Sequence, residues 1–285
     1  MKILEQSARV GGRVLMKYYK KLDDFAYKTG FSDIVTLADT EAQKSIVLYL
    51  REKFQSEYPK QKIGFLAEEG LIEKSVDITF VIDPLDGTSN FESGFPIFTV
   101  CIGLMNKDES INAGVVYDPI RDIMYRAERG RGAYKNDKKM YIQGKKALAD
   151  SLILTYRHAS YFLAEYSPFF ARDTRSTGSL AFDVCTIAAG EADVSFAGGG
   201  KIWDYAAASI ILEEAGGTLR SWSGKPVKFT TADPHKSYPI VAGSERILKL
   251  FVPYVAKFDP KKISTPKVGK RGEGKSIESK VHKRE

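Results

Sequence analysis

Two aspartates, Asp83 and Asp86, are the side chains in this sequence whose type and spacing best suit chemistry. The apolar residues 78–82 lead directly into Asp83, and Pro84 and Leu85 separate the two acids. Pro84 fixes one backbone dihedral, so both carboxylates lie on a stiff turn. Carboxylates this close repel each other unless a cation lies between them, and Mg²⁺ favours such oxygen ligands. The alternative is an ordinary surface turn, since Asp-Pro and Asp-Gly are common turn dipeptides.

The three residues that follow this pair suit a phosphate group. Gly87, Thr88 and Ser89 are predicted to open a helix or tight turn, whose free backbone N–H groups would bind an anion. The Leu85 carbonyl lies between the two aspartates and offers a further oxygen ligand. A cation on one side and backbone donors on the other would neutralise a phosphate ester and activate an attacking water.

Two other acidic groups need the same weighing. Glu68 and Glu69 follow the apolar residues 63–66, and Asp204 follows Trp203. A glutamate pair is usually solvated, and an aspartate before a helix is usually an N-cap. By residue type alone, these structural interpretations are favoured over a site.

Three motifs, in this order, resemble the inositol monophosphatase superfamily over nearly the whole chain, up to about Val255. They are Ala-Glu-Glu-Gly at residues 67–70, Asp-Pro-Leu-Asp-Gly-Thr-Ser-Asn-Phe at residues 83–91, and Trp203-Asp204 leading into Glu-Glu-Ala-Gly-Gly at residues 213–217. The resemblance implies an α+β fold, a layered αβαβα sandwich of the inositol monophosphatase/fructose-1,6-bisphosphatase type. It also implies a phosphoric monoester hydrolase with about two to three Mg²⁺ ions per active site, for which Mn²⁺ can substitute.

The resemblance implies a ligand role for each matching residue. The expected metal ligands are Glu68, Asp83, Leu85, Asp86 and Asp204. Glu68, Asp83 and the Leu85 carbonyl would hold a first ion. Asp83, Asp86 and Asp204 would hold a second, so Asp83 would be shared between the two.

Catalysis is expected from a second set of residues that the resemblance implies. Thr88 would orient the attacking water, with Asp39 as its partner. Glu69 would serve a third, weaker ion together with Glu68. A mobile loop over residues 27–33 would close over that ion, with Lys28 as its basic contact. The expected substrate-binding residues are Asp86, Gly87, Thr88, Ser89, Arg172, Arg175 and Ala197.

One departure from the family pattern bears on the substrate. Inositol-specific members carry an acidic residue seven positions before the aspartate of the Trp-Asp motif, where this chain has Ala197. Arg172 and Arg175 offer planar donors for a second phosphate, although two solvated arginines are the alternative. We therefore expect fructose 1,6-bisphosphate, cleaved at its 1-phosphate, and inositol 1-phosphate as substrates, as in archaeal members with both activities. A strict inositol monophosphatase and a 3′-phosphoadenosine nucleotide phosphatase are the alternatives.

The charge of the chain is concentrated at its end. Residues 259–285 carry nine Lys or Arg and four Asp or Glu, against a net charge of +7 for all 285 residues. We predict an N-terminal α+β half over residues 1–135 with most metal ligands, a C-terminal α/β half over 136–258, and a flexible basic tail over 259–285. A nucleic-acid-binding or regulatory protein that uses this tail is the alternative from another class, and a salt titration of binding would test it. Nucleic acid is not the expected partner, because the body lacks a basic stripe with interleaved aromatics.

Cysteine usage and hydropathy favour a cytoplasmic protein. The two cysteines lie far apart with no Cys-x-x-Cys pair, and the charged N-terminus is not a signal peptide. No apolar run approaches the ~20 residues of a membrane span, so a membrane partner is not expected. The expected partners are a small phosphate ester and a second copy of the chain, in a homodimer or a higher homo-oligomer.

The elements that must position these residues follow from the apolar spacing. Helices are predicted over residues 1–22, 40–54, 180–189, 205–215 and 245–252, the last one ended by Pro253. A loop is predicted over residues 23–33. Strands are predicted over residues 63–66, 78–82, 98–104, 113–117, 123–126, 151–156, 192–196 and 240–243.

Overall fold

The computed structural model describes residues 1–19, 31–73, 77–145, 147–156 and 171–257, with the backbone alone for residues 31–34. The α-helices of these residues are α1 (Lys2–Tyr19), α2 (Phe31–Glu57), α3 (Thr88–Glu92), α4 (Leu180–Ala188), α5 (Ile202–Glu214) and α6 (Glu245–Val255). The strands are β1 (Ile63–Ala67), β2 (Ile72–Glu73), β3 (Ile78–Asp86), β4 (Thr99–Asn106), β5 (Ile111–Asp118), β6 (Ile123–Glu128), β7 (Ala133–Lys135), β8 (Lys138–Lys139), β9 (Leu152–Tyr156), β10 (Asp173–Arg175), β11 (Val194–Ala197), β12 (Thr218–Ser221) and β13 (Ile240–Gly243). A short 3₁₀ helix covers Leu148–Asp150.

The strands form two sheets. The first has the order β2-β1-β3-β4-β5-β6-β7-β8, and the second has the order β10-β9-β11-β13-β12. In the first sheet β1 and β3 are parallel, so their carboxyl ends meet at the same edge. In the second sheet β9 is parallel to both β10 and β11, whereas β13 is antiparallel to β11 and β12.

Alternation along the strands places one sheet between two helical layers. Phe80 and Ile82 of β3 pack in a core with α1 and α2, whereas Val81 faces the other way, into a core with α4 and α5. The second sheet closes this middle core, and its outer face packs on α6 through Phe196 and Phe251. The predicted layered αβαβα fold is therefore confirmed.

Two glycines bring α5 close to the first sheet. A methyl group at Gly114 would lie 2.6 Å from the carbonyl oxygen of Ala207, and one at Gly103 would lie 3.0 Å from the Ala206 side chain. Only a residue without Cβ permits this approach of a helix to β4 and β5. As a result, the first turn of α5 lies beside β3.

The second helix is longer than the sequence predicted. It begins at Phe31, inside the segment predicted as a loop, and not at residue 40. Val35 and Ala38 are buried at the same helical spacing as Ala42 and Ile46, so the apolar face starts before the predicted helix. The rest of the predicted loop, residues 23–30 with Lys28, and the predicted tail lie outside the described residues.

Two further helix ends differ from prediction. Helix α5 begins at Ile202, so Asp204 lies inside its first turn and not before it. Helix α6 continues beyond Pro253 to Val255. Proline removes one backbone donor but does not prevent the turn that follows it, and Val255 is fully buried against the outer face of the second sheet. Among the described helices, none is both long and apolar enough to cross a membrane.

Candidate active site

Asp83 and Asp86 lie at the carboxyl end of β3, where the strand is irregular. Asp83 pairs with Cys101 of β4, and Asp86 pairs with Thr99, so β3 contains one extra residue between these pairs. In a regular strand, residues three apart face opposite sides of the sheet. The bulge restores the alternation, and both carboxylates face the middle layer that contains α4 and α5.

Three carboxylates meet at this edge of the sheet. Glu68 directly follows β1, Asp83 belongs to β3 and Asp204 lies in the first turn of α5; one oxygen from each lies within 4.8 Å of the others. We call these three residues the carboxylate cluster. The Lys201 N–H donates to Asp204 Oδ2 over 2.7 Å, and a Cβ at Gly200 would lie 2.8 Å from the same oxygen. The glycine therefore leaves room for the acid to turn back on its own helix.

Asp86 lies beside the cluster and is bound to a different helix. Its carboxylate accepts hydrogen bonds from the backbone N–H groups of Leu180 and Ala181, at the first turn of α4, and from the hydroxyls of Ser179 and Thr99. Asp86 therefore joins the first sheet to the middle helical layer.

Burial and mutual repulsion raise the pKa values of the acids in this site. Burial raises the pKa of Asp83 well above its usual range, and Glu68, Asp86 and Asp204 raise it further. Burial, followed by the charge of Asp86, raises the pKa of Asp204 to about 7. Burial also raises the pKa of Asp86, but its four hydrogen bonds oppose that rise.

This donor set fits a hard divalent cation. The cluster offers only oxygen atoms, and a cation among them would remove the repulsion that raises these pKa values. The Leu85 carbonyl, also expected as a ligand, accepts a hydrogen bond from Thr88 Oγ1 at 3.1 Å. Mg²⁺ is the ion that such a small set of carboxylates typically holds beside a phosphate.

Asp39 lies on α2 as a second kind of buried acid. It is 4% exposed, and its Oδ1 atom has no hydrogen-bond partner in the part of the chain that the structure describes. Burial, followed by the charges of Glu69 and Glu68, raises the pKa of Asp39 to about 9. Glu69 itself is exposed, and its backbone is held at both its N–H and its C=O by the side chain of Gln43 on α2. Helix α2 therefore supplies both an acid and the clamp for the Glu68-Glu69 turn.

The predicted anion-binding residues form a tight turn. Gly87 has φ of 97° and is the N-cap of α3, so residues 87–89 open a helix, one of the two forms predicted; a Cβ at Gly87 would lie 2.9 Å from the Ile97 carbonyl oxygen. Only glycine is free of strain in this conformation. Thr88 and Ser89 follow as the first residues of α3, and both are exposed.

The two arginines expected to bind a second phosphate lie at the protein surface. Arg172 and Arg175 are exposed, and Arg175 forms an ion pair of 2.5 Å with Asp173 on the same edge strand, β10. Ala197 is fully buried at the end of β11, where its carbonyl accepts from Trp222 Nε1 at 3.0 Å. Within the described part of the chain, neither arginine contacts the carboxylate cluster.

Sequence reasoning missed the residues that hold the acids in place, chiefly Ser179, Thr99 and Gln43. Ser179 carries a recognisable signal, since a serine before an apolar helical segment is typical of an N-cap. Its contact with Asp86, however, spans 93 residues. No local pattern can predict a pairing of that length.

The layered fold and its buried carboxylates define a class of protein, the hydrolases that use a divalent cation. The model of the inositol monophosphatase family matches residues 1–257. Nus factor SuhB of Pasteurella multocida is 34% identical over 87% of this chain and 92% of its own length. Inositol monophosphatase 1 of Homo sapiens is 32% identical over 85% of this chain and 88% of its own length. The crystal structure of extragenic suppressor protein suhB from Bartonella henselae has a TM-score of 0.76 at 31% identity, covering 90% of this chain and 99% of the other.

This chain therefore belongs to the inositol monophosphatase family. It is a phosphatase, a phosphoric monoester hydrolase, and it has the clustered acidic residues that such a metal-dependent family requires.

Proposed function

We propose that this chain hydrolyses small sugar and polyol phosphate monoesters with the help of Mg²⁺. The observation that carries the proposal is the carboxylate cluster of Glu68, Asp83 and Asp204, with oxygens within 4.8 Å of one another. Asp86, the neighbouring acid, completes a set that would hold about two ions, as phosphatases with paired metals require. When bound, the ions neutralise the phosphate oxygens and promote the ionisation of the attacking water.

The other roles belong to residues around the cluster. The Thr88 hydroxyl lies at the mouth of the turn, held by the Leu85 carbonyl, and would orient the attacking water. Asp39, whose Oδ1 is buried with no hydrogen-bond partner among the described residues, would pair with the Thr88 hydroxyl, as the family resemblance implies. The Gly87 turn would bind the phosphate oxygens through backbone N–H groups. Glu69 and Lys28 remain proposed contributors to a third, weaker ion.

The substrate is the finer part of the proposal. Relatives named inositol monophosphatase support inositol 1-phosphate as one substrate. Fructose 1,6-bisphosphate, and with it a kinship to the archaeal members with both activities, is supported by the lack of a carboxylate at Ala197 and by the residue type of Arg172 and Arg175. The two arginines are exposed and Arg175 is already paired, so the bisphosphate is the weaker of the two proposals.

A phosphate-release assay with purified protein and Mg²⁺ tests both the metal-dependent activity and the choice of substrate. The substrates are inositol 1-phosphate, fructose 1,6-bisphosphate and 3′,5′-bisphosphoadenosine, each measured as kcat/KM in the parent, in Arg172→Ala and in Arg175→Ala. We expect cleavage of inositol 1-phosphate that EDTA abolishes and excess Mg²⁺ restores. If an arginine holds the distal phosphate, its removal lowers kcat/KM for fructose 1,6-bisphosphate about tenfold and leaves inositol 1-phosphate unchanged. Turnover that survives EDTA would contradict the metal-dependent proposal. Equal losses on both substrates would contradict only the bisphosphate.

We also propose a homodimer or a higher homo-oligomer, on the family resemblance alone. Light scattering of the purified chain would measure its mass in solution, and a mass near the 31.7 kDa of one chain would contradict this proposal.

A further inference from the structure

The carboxylate of Asp86 is held unequally at its two oxygens. Oδ2 accepts from Ser179 Oγ, from the Ala181 N–H at 2.8 Å and from Thr99 Oγ1 at 3.4 Å. Among the described residues, Oδ1 accepts only from the Leu180 N–H, at 3.2 Å. An ionised carboxylate has about four lone-pair sites in all, so Oδ2 is saturated whereas Oδ1 keeps capacity for one more partner.

Ser179 has two simultaneous contacts that use both functions of its hydroxyl. Its Oγ accepts from the Phe182 N–H at 3.3 Å, which caps α4, and its hydroxyl hydrogen is donated to Asp86 Oδ2. Ser179 is fully buried, so water cannot replace either contact. The cap of the helix and the orientation of the acid therefore depend on the same atom.

A second set of hydrogen bonds, from Asn90, holds residues 177–179, which precede α4, against the residues that follow Asp86. Asn90 Nδ2 donates to the carbonyls of Thr177 and Ile97, each at 2.7 Å. Gly178, between Thr177 and Ser179, has φ of 84°, and a Cβ there would lie 2.6 Å from Asn90 Oδ1. The segment is thus fixed on both sides of Gly178, and Ser179 cannot move away from Asp86 without breaking this contact.

We propose that Ser179 is a positioning residue for the cation site: it fixes Asp86 through Oδ2 and leaves Oδ1 to the divalent ion. The inference rests on the proposed function, because it assumes that Asp86 is a ligand. The Ser179 hydroxyl and the N–H groups of Leu180 and Ala181 together hold the Asp86 carboxylate in one orientation. Loss of the hydroxyl frees the Asp86 carboxylate to rotate, and this loss of orientation weakens ion binding.

Binding of Mn²⁺ without substrate tests this, by electron paramagnetic resonance of the free ion. Ser179→Ala is expected to weaken Mn²⁺ binding about tenfold or more, as loss of a partner of a metal ligand commonly does. Ser179→Thr keeps the hydroxyl and should restore the affinity. Ser179→Gly serves if the alanine variant does not fold, since glycine is also accepted at an N-cap but lacks the hydroxyl.

Ser244 provides the matched control. It caps α6 by accepting from the Ile247 N–H at 3.3 Å, the same distance as in the α4 cap, but it lies in the outer helical layer. Ser244→Ala should lower the melting temperature through loss of a cap and leave Mn²⁺ affinity unchanged. If Ser179→Ala binds Mn²⁺ as the parent does, or if Ser244→Ala weakens binding equally, the positioning role is wrong. A parent that binds no Mn²⁺ overturns the proposed function and this inference together.

Discussion

Asp83 is a carboxylate that is costly for the fold and that we propose as a ligand shared by two metal ions. It is 1% exposed and faces three other acids, and its pKa is therefore raised well above the usual range. In the metal-free protein this arrangement is destabilising, because buried like charges cost free energy unless a counter-ion is present. Once a cation binds, the Asp83 carboxylate is expected to stabilise the folded protein.

Replacement of Asp83 by asparagine separates these two effects. Asp83→Asn should lower kcat by about 1,000-fold or more, since loss of a shared ligand removes several kcal/mol of charge stabilisation. The melting temperature in EDTA should rise, because the neutral amide relieves the repulsion. Asp137→Asn, at a fully exposed turn, is the control and should change neither quantity. Near-normal turnover in Asp83→Asn would contradict its assignment as a shared ligand.

Asp39 allows a prediction of pH dependence with a definite sign. Its pKa is raised to about 9 in the folded protein, so the folded state holds a proton that the unfolded chain releases near pH 4. Metal-free stability should therefore fall as the pH rises from about 4 to 9, by linkage. Asp39→Asn should be about as stable as the parent at pH 4 and more stable at pH 9, measured by melting in EDTA. Parallel stability curves for the two proteins would contradict the raised pKa.

At the scale of elements, one strand bulge and the first turns of two helices bring the acids together. The bulge in β3 turns Asp83 and Asp86 to the same face, the first turn of α4 binds Asp86, and the first turn of α5 carries Asp204. Each acid is thus placed by an element end or a distortion, where backbone groups are free to bind a side chain. The regular parts of the strands and helices set only the spacing between these points.

The contact of α5 with the first sheet should be sensitive to one methyl group. In Gly114→Ala the new Cβ would lie 2.6 Å from the Ala207 carbonyl oxygen and 2.8 Å from its Cα, so α5 must move. We expect a loss of about 1–3 kcal/mol in the free energy of unfolding, as for an overpacked core. Because α5 carries Asp204, Mn²⁺ affinity should fall as well. A variant with unchanged stability would show that α5 is not held by this contact.

At the scale of the whole molecule, the acids lie between layers that come from distant parts of the chain. Glu68 and Asp83 belong to the first sheet, Asp204 belongs to the middle helical layer, and α1 and α2 cover the opposite face of that sheet. Bringing these layers together buries several carboxylates at one place. Cation binding should therefore stabilise the whole fold and not the site alone.

The stabilisation by Mg²⁺ should increase with pH. Cation ligands must be ionised, and the pKa of Asp204 is raised to about 7, so protons compete with the ion at low pH. The Mg²⁺-induced rise in melting temperature should be larger at pH 8 than at pH 6, with about 2.7 kcal/mol expected at a hundredfold excess over Kd. The melting temperature of EDTA-treated protein without Mg²⁺, measured at each pH, provides the baseline. A shift that is independent of pH would contradict the role of these carboxylates as ligands.

The sequence by itself determined the acidic motifs and the fold class. Residues 83–91 are specific because the whole run of nine residues matches a family motif, whereas its Asp-Pro and Asp-Gly dipeptides alone would fit an ordinary turn. The resemblance built on them predicted the layered sandwich, and apolar periodicity placed most strands within a few residues. These features depend on residues close together in the chain, so local sequence patterns are enough to predict them.

Only the tertiary structure decided which groups meet those acids. The bulge opposite Cys101, the bond from Ser179 to Asp86 and the early start of α2 all depend on packing between segments far apart in the chain. The role of Arg172 and Arg175 stays a prediction: their residue type suits a phosphate, and in the described part of the chain Arg175 pairs with Asp173. The cause is that the free energy of a buried polar contact depends on both partners. The sequence gives the type of each residue but does not show which distant residue it will contact.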